Sequence, residues 1–142
     1  MKTNALSFLV IAICLSLFSC NSGEKKNHLV LTMADNSRVS VDWEGTYSGT
    51  IPCADCEGIF IVITLNNNAT YEMTMNYLGK DFEVTSEGNF SWNEQGSIIT
   101  LDIEGEGMKM FKVGENRIFM LDIHGNEITG ELADNYILEK VD

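Results

Sequence analysis

The sequence has few histidines and few basic residues, and these shortages exclude whole classes of function. Only His28 and His124 occur in 142 residues, so the chain offers no credible nucleophile–base pair. The sequence has nine lysines and arginines but 21 aspartates and glutamates, which gives a formal net charge of −12. Because nucleic-acid binding depends on neutralising phosphates with basic side chains, this charge balance argues against it. We therefore expect neither catalysis nor nucleic-acid binding.

The sequence also lacks an apolar run long enough to span a bilayer. Its N-terminal run, Ala5 to Phe18, follows Lys2 and would extend roughly 21 Å as a helix, short of the ~30 Å hydrocarbon core. A basic start, a short apolar stretch and a small residue at the cut site are typical of a secretory signal peptide. Leu17-Phe18-Ser19-Cys20 resembles a bacterial lipobox, in which cleavage precedes an acylated cysteine. We predict a signal peptide over 1–19 and lipidation of Cys20; the alternative is an ordinary signal peptide beside an unrelated cysteine.

The acidic composition bears on how the processed chain attaches to a membrane. It would repel anionic headgroups, so attachment must come from the lipid, and two or more acyl chains anchor a protein stably. Residues 20–40 are predicted to be the lipidated N-terminus and a tether, because Asn21 to Asn36 is mixed and polar with one apolar patch, Leu29 to Met33. Asp35-Asn36-Ser37 predicts a single helical turn before Trp43. The remaining residues, 41–142, suffice for one domain.

From Trp43 onward, apolar and polar residues alternate with a period of two, which is typical of half-buried strands. The run around Phe90 has one polar residue, Ser86, on its apolar side. Ile59 to Leu65 is apolar on both faces, which predicts a central or covered strand. The residues predicted to face the core are Ile61, Tyr71, Met73, Met75, Val84, Phe90, Leu101 and Ile103.

Short turn-forming segments separate these runs, each too short for a helical crossover, so successive strands must be antiparallel neighbours. Eight strands are predicted, at about 45–50, 58–65, 70–77, 82–92, 97–103, 108–113, 117–122 and 135–140. Eight short meandering strands close most economically into an all-β, up-and-down barrel, because closure removes exposed strand edges. A β-sandwich is the alternative.

Cys53 and Cys56 form an even pair in an exported chain, once Cys14 leaves with the signal peptide and Cys20 carries the lipid. In a thioredoxin-type enzyme such a pair opens a helix, whose N-terminus lowers the thiol pKa. Here the pair lies between two strands and has acidic neighbours, so a catalytic oxidoreductase is disfavoured. A mainly structural disulfide is the leading interpretation. Because a loop this small removes only ~2 kcal/mol of denatured-state entropy, a redox-responsive or partner-contacting loop stays open.

The sequence predicts no cofactor and no metal site. The cysteine pair lacks the second pair of ligands that a structural zinc needs, and Glu57 stands where a c-type haem site has histidine. Two Met-x-Met pairs, Met73/Met75 and Met108/Met110, present thioethers that suit Cu(I). Methionine also fills irregular cores, and we expect both pairs to be core or barrel-lining residues.

The stretch Gly45-Thr46-Tyr47-Ser48-Gly49-Thr50-Ile51-Pro52-Cys53-Ala54-Asp55-Cys56-Glu57-Gly58-Ile59 resembles the NlpE family of envelope lipoproteins, which are linked with copper resistance and envelope-stress signalling. A second match follows at Leu121-Asp122, Gly125, Ile128, Gly130, Leu132-Ala133, Tyr136, Leu138 and Lys140. The resemblance implies a lipocalin-like barrel on the periplasmic face of the outer membrane. Larger members carry a second, C-terminal domain that signals to a stress-sensing histidine kinase, and we expect no counterpart of it in a sequence that ends at Asp142.

Together these patterns predict a non-enzymatic, lipid-anchored outer-membrane protein whose barrel, residues 41–142, faces the periplasm. The expected function is envelope-stress or adhesion sensing, or copper tolerance, through the loop that carries Cys53 and Cys56. The expected partner is an envelope protein or a sensor kinase. The rival functions are a lipocalin-like carrier with an apolar ligand inside the barrel and a direct copper-binding protein.

Overall fold

The structure, a computed structural model, describes residues 36–141, so the predicted signal peptide, Cys20 and most of the predicted tether lie outside it. In chain order, the elements are α1 (Ser37–Ser40), β1 (Gly45–Ile51), β2 (Ile59–Leu65), β3 (Thr70–Tyr77), β4 (Glu83–Trp92), β5 (Ile98–Ile103), β6 (Gly107–Gly114), β7 (Arg117–Met120), a 3-10 helix (Ala133–Tyr136) and β8 (Ile137–Val141). All eight predicted strands are confirmed, with ends that differ by no more than about two residues.

The eight strands form a closed barrel in which each strand pairs with its neighbours in sequence and β8 pairs back onto β1. Every pairing is antiparallel, as the short connections require. The pairing of β1 with β2, for example, runs from Ile51 opposite Ile59 to Gly45 opposite Leu65. The up-and-down barrel is therefore confirmed, and the β-sandwich alternative is excluded.

The inner face of the barrel is packed with apolar side chains. Seven of the eight residues predicted to face the core are at most 5% exposed, and the eighth, Val84, is half-buried against the same cluster. Because side chains alternate between faces, a register slip of one residue would move each strand's set into solvent. The other buried residues of the cluster are Tyr47, Ile51, Ile63, Leu65, Ile99, Phe111, Val113, Ile118 and Leu138.

The prediction that β2 is a central or covered strand holds in its first form, because β2 pairs with β1 on one side and with β3 on the other. Its outer face is not covered. Phe60 remains 41% exposed and Val62 is half-buried. The barrel is a single layer, and within residues 36–141 no second layer packs outside β2. The inner residues of β2, Ile61 and Ile63, are fully buried, so the strand has only one core face.

The two Met-x-Met pairs occupy different faces of the barrel. Met73 and Met75 are buried, which confirms the core interpretation for that pair. Met108 and Met110 lie on the outer face of β6, and Met108 is 70% exposed, so the core interpretation is wrong for them. The reason is register: the inner positions at the end of β6 are taken by Phe111 and Val113, and even-numbered residues point outward.

Aromatic rings close one end of the barrel. The indole of Trp43 packs edge-on against Phe90 and Trp92, with ring centroids 5.8 and 5.4 Å apart. The hydroxyl of Tyr47 donates to the carbonyl of Trp43 at 2.6 Å. Burial, followed by the charge of Asp42, raises the pKa of Tyr47 to about 12, so the phenol remains a neutral donor at physiological pH.

The predicted helical turn, α1, packs beside this aromatic end. Ser37 donates from its hydroxyl to the carbonyl of Val113 at 2.5 Å, and the Arg38 amide donates to the carbonyl of Gly96 at 2.9 Å. Asn36 occupies the N-cap position but makes no side-chain capping bond. The turn is therefore held by the barrel and not by its own cap.

Tyr71 joins β4 to β5 from inside the barrel, where their ladder ends. Its hydroxyl donates to the carbonyl of Asp102 at 2.9 Å and lies 3.0 Å from the hydroxyl oxygen of Ser86. Gly88 stands opposite Tyr71 in register, and a Cβ at Gly88 would come within 3.2 Å of the ring. The one polar residue on the apolar side of β4 is thus the partner of a buried phenol.

We expect Tyr71→Phe to lower the free energy of unfolding by about 1–3 kcal/mol, because the substitution keeps the ring but leaves the Asp102 carbonyl without its donor. Chemical denaturation measures this change. Tyr136→Phe is the control, since the hydroxyl of Tyr136 makes no hydrogen bond to another residue of the range 36–141. Equal stability of the two variants would show that the Tyr71 hydroxyl does not join the strands.

Candidate functional site

The CxxC loop, residues 52–58, connects β1 to β2 at the barrel end opposite the Trp43 rings. Antiparallel order places three other connections at this end: the β3–β4 turn (78–82), the β5–β6 turn (104–106) and the β7–β8 connection (121–136). Cys53 and Cys56 are half-buried, whereas Ala54 and Asp55 between them are exposed. The tip of the CxxC loop is therefore open to solvent while its cysteines rest against the barrel.

Backbone hydrogen bonds dock the CxxC loop onto the β3–β4 turn. The Glu57 amide donates to the carbonyl of Leu78 at 3.3 Å, and the Leu78 amide donates to the carbonyl of Gly58 at 2.9 Å. Gly58 has a φ of +155°, and a Cβ there would fall 2.8 Å from Cγ2 of Thr50. A glycine is required where the loop re-enters the barrel, because a side chain would collide with β1.

An ion pair adds a second contact between the CxxC loop and the β3–β4 turn. Nζ of Lys80 lies 2.5 Å from Oδ2 of Asp55. The hydrogen bond from Lys80 and its positive charge lower the pKa of Asp55, so this carboxylate stays ionised. Both side chains are substantially exposed, so the pair orients the loop more than it stabilises the fold. The alternation pattern gave no sign of this pairing.

The structure brings Cys53 and Cys56 together in a disulfide, with their Cα atoms 5.3 Å apart. The CxxC loop, which is described in full, contains no helix, so no helix N-terminus lowers the thiol pKa. Oδ1 of Asp55 lies 3.6 Å from Sγ of Cys53, which places a negative charge where a thiolate would form. This geometry suits a cysteine pair that is either disulfide-bonded or reduced to two thiols. It does not suit a thiolate that attacks another group. Whether the pair is oxidised in the cell stays a prediction.

Cys53, Asp55 and Cys56 could each offer one ligand atom to a metal ion, and these atoms lie within 4.8 Å of one another. In the disulfide the two sulfurs are bonded to each other, and the Asp55 carboxylate is paired with Lys80. The oxidised loop therefore does not fit a metal. Reduction would give two thiols, and thiolate sulfur suits soft metals once a metal displaces the protons, but the set would still lack the fourth ligand of a structural zinc site.

The polar residues near His124 stabilise a turn. Oδ1 of Asp122 accepts the backbone amides of Asn126 and His124, each at 2.8 Å. The bond from the Asn126 amide is the largest cause that lowers the pKa of Asp122. In the β5–β6 turn, Glu106 pairs with Lys109 at 3.6 Å.

The inner face of the barrel bears on the carrier hypothesis. A carrier needs a ligand cavity inside the barrel. Tyr47, Tyr71 and Phe111 are the largest of the fully buried side chains, and each belongs to the core cluster. Their rings occupy the space that such a ligand would need.

The predicted anchor, Cys20, lies outside the described residues. In the part of the chain that is described, 36–141, no helix combines the length and apolar character needed to cross a membrane.

Comparison with known proteins gives concordant matches. The family model for the NlpE N-terminal domain matches residues 47–131. Lipoprotein NlpE from Escherichia coli strain K12 is 33% identical over 96 residues, which cover 66% of this chain and 39% of that protein.

Two solved structures are also similar. A crystal structure described as a lipoprotein from Shewanella oneidensis has a TM-score of 0.69 and 46% identity, covering 75% of this chain and 95% of that one. The crystal structure of the Cpx pathway activator NlpE from Escherichia coli has a TM-score of 0.54 and 26% identity, covering 62% of this chain and 46% of that one.

Proposed function

Because this chain belongs to the NlpE family through its N-terminal domain, we propose that it is a non-catalytic envelope lipoprotein that senses envelope stress through its CxxC loop. It is anchored by Cys20 in the outer membrane, and its barrel faces the periplasm. The signal peptide and lipobox pattern support the anchor, and so does the description of the relatives as lipoproteins.

The docking of the CxxC loop is the observation that carries this proposal. The loop is held on the β3–β4 turn by two backbone hydrogen bonds and one ion pair, while its tip is exposed. So small a disulfide loop contributes only ~2 kcal/mol to stability, and neither cysteine belongs to the core cluster of the barrel. Opening the disulfide therefore changes the surface at Ala54 and Asp55 without unfolding the barrel.

The proposed partner is an envelope protein or sensor kinase that contacts this surface. The Escherichia coli relative is described as a Cpx pathway activator. This chain spans 39% of the length of the curated relative, so the link to that pathway is part of the proposal. The matched region includes the whole CxxC loop, which supports a role for the loop in that link.

The test is expression of this chain in an Escherichia coli strain that lacks its own NlpE and carries a Cpx-responsive reporter. We expect the unmodified chain to raise the reporter signal and the Cys53→Ser, Cys56→Ser double variant to lose most of that rise. Glu94→Ala, an exposed change in the turn after β4, is the control and should behave like the unmodified chain. Thiols trapped on harvest should show Cys53 and Cys56 oxidised.

Three outcomes would contradict this proposal. An unchanged reporter signal from a stably expressed double-serine variant would remove the role of the loop. No response to the unmodified chain would remove the role in this pathway. A native mass measurement on the protein purified from membranes that showed bound copper or an apolar ligand would favour the copper-binding or carrier function instead.

A further inference from the structure

Strand β4 has a stretch of edge with no paired strand beside it. It pairs with β3 from Glu83 to Asn89, but with β5 only from Phe90 to Trp92. Continuing the β5 register would place Glu87 opposite Glu104, where the chain already turns towards β6. Asp102 and Ile103 of β5 still lie beside Asn89 and Gly88. Among residues 36–141, therefore, no strand lies beside the part of β4 from Glu83 to Glu87 on the side that faces away from β3. We call this stretch the β4 edge.

The backbone groups of the β4 edge can be assigned to one side or the other. Phe90 donates its amide to the carbonyl of Ala69, on the β3 side, at 2.9 Å. Backbone groups of successive residues in a strand point to opposite sides. The residues with odd numbers thus direct their N–H and C=O groups away from β3, and such a row is a template for another strand.

The hydrogen bond of the Tyr71 hydroxyl marks the end of the β4–β5 ladder, beyond which a gap separates the β4 edge from the end of β5. The Asp102 carbonyl on β5 would accept the Asn89 amide if the ladder continued in register. It accepts the Tyr71 hydroxyl instead, from inside the barrel. The barrel thus satisfies this β5 carbonyl from within, and the β4–β5 ladder ends beside Asn89.

Acidic side chains line both sides of this gap. Glu83 and Glu87 are exposed on β4, and Asp102 and Glu104 are exposed at the end of β5. None of the four forms an ion pair with a lysine or arginine of the described range. Glu87 also lies directly opposite Glu72 on β3, and like charges in such a pair repel. An incoming strand with basic outward side chains would relieve this repulsion.

We propose that the β4 edge binds an extended, lysine- or arginine-rich segment of a partner protein by strand addition. Main-chain hydrogen bonds to Thr85 and Glu87 hold the segment. Its basic side chains pair with Glu83 and Glu87 across the new ladder, where opposite residues lie about 5 Å apart. The β4 edge contains no residue of the CxxC loop.

Amide hydrogen exchange measured by NMR on the intact lipoprotein in detergent micelles tests the edge. In the free protein, the amides of Thr85 and Glu87 should exchange at least tenfold faster than those of Val84 and Ser86. A ten-residue peptide of alternating lysine and threonine should slow the first set at least tenfold and leave the second set unchanged. A peptide of alternating glutamate and threonine should protect neither set.

Charge variants test the selectivity. The double variant Glu83→Gln, Glu87→Gln should bind the lysine peptide at least tenfold more weakly, whereas Glu115→Gln, in the turn after β6, should bind it normally. Both variants should keep the exchange pattern of the free protein, which shows that they are folded.

Several results would overturn the proposal. Protection of the Thr85 and Glu87 amides without peptide would mean that another part of this chain or a second copy covers the edge. Peptide binding without protection of these amides would place the peptide elsewhere. Equal binding of the lysine and glutamate peptides, or binding of neither peptide, would contradict the proposal. The carboxylates would then only prevent this edge from pairing with a second copy of the chain.

Discussion

Phe90→Ala is expected to lower the free energy of unfolding by about 3–5 kcal/mol, the usual cost of removing a buried phenylalanine ring. The Phe90 ring is 5% exposed and packs edge-on against Trp43 and Trp92 at the closed end of the barrel. Phe90 is also the residue at which the pairing of β4 with β3 has ended and its pairing with β5 begins. The substitution therefore removes core contacts at the junction of three strands. The melting temperature should fall by more than about 10 °C.

Glu87→Ala is the matched control, because Glu87 lies on the same strand and faces outward. Surface changes of this kind usually stay within about 0.5 kcal/mol. Thermal and chemical denaturation of both variants should separate them clearly. Small and equal losses at Phe90 and Glu87 would show that the inner and outer faces of β4 are wrongly assigned.

The alternation of apolar and polar residues was sufficient to predict the strands and the closed barrel. It succeeded because a strand has only two faces and each turn here is too short for any other connection. Residues such as Met73 and Leu101 follow this rule without exception, and both are buried. The same rule also pointed to Ser86 as an anomaly, although it could not say which group Ser86 meets.

The features that alternation missed depend on partners distant in sequence. Ser86 is explained only by Tyr71, which the register brings across from β3. The ion pair of Asp55 depends on Lys80, which belongs to a different hairpin. The exposure of Phe60 depends on whether a second layer covers the barrel, and the exposure of Met108 depends on the register that gives Phe111 and Val113 the inner positions of β6.

Gly88 is a sequence signal whose meaning could not be predicted without the strand register. A glycine inside a strand indicates a bulge or a close approach. At Gly88 the close approach is that of the Tyr71 ring, in direct register. The register of β3 and β4 must be known before the glycine and the tyrosine can be paired. Gly88, Tyr71 and Ser86 together then account for the end of the β4–β5 ladder.

Cys20→Ala is expected to abolish acylation and to leave the protein either soluble or unprocessed. The proposed anchor rests on Leu17-Phe18-Ser19-Cys20, in which Cys20 supplies the only atom that can accept the thioether-linked lipid. A single acyl chain gives only marginal membrane binding, whereas several give stable anchoring. Because the chain is strongly acidic, no basic patch can substitute by binding anionic headgroups. The loss should therefore be close to complete.

Metabolic labelling with a fatty acid, followed by membrane fractionation, measures both effects of Cys20→Ala. Cys14→Ala is the matched control: it removes a thiol from the predicted signal peptide, so the processed protein should carry the same label and fractionate as before. A Cys20→Ala protein that still incorporates label and still sediments with membranes would contradict the lipobox assignment. An acyl label lost from both variants would instead point to a defect in export, because Cys14 lies within the apolar run that directs it.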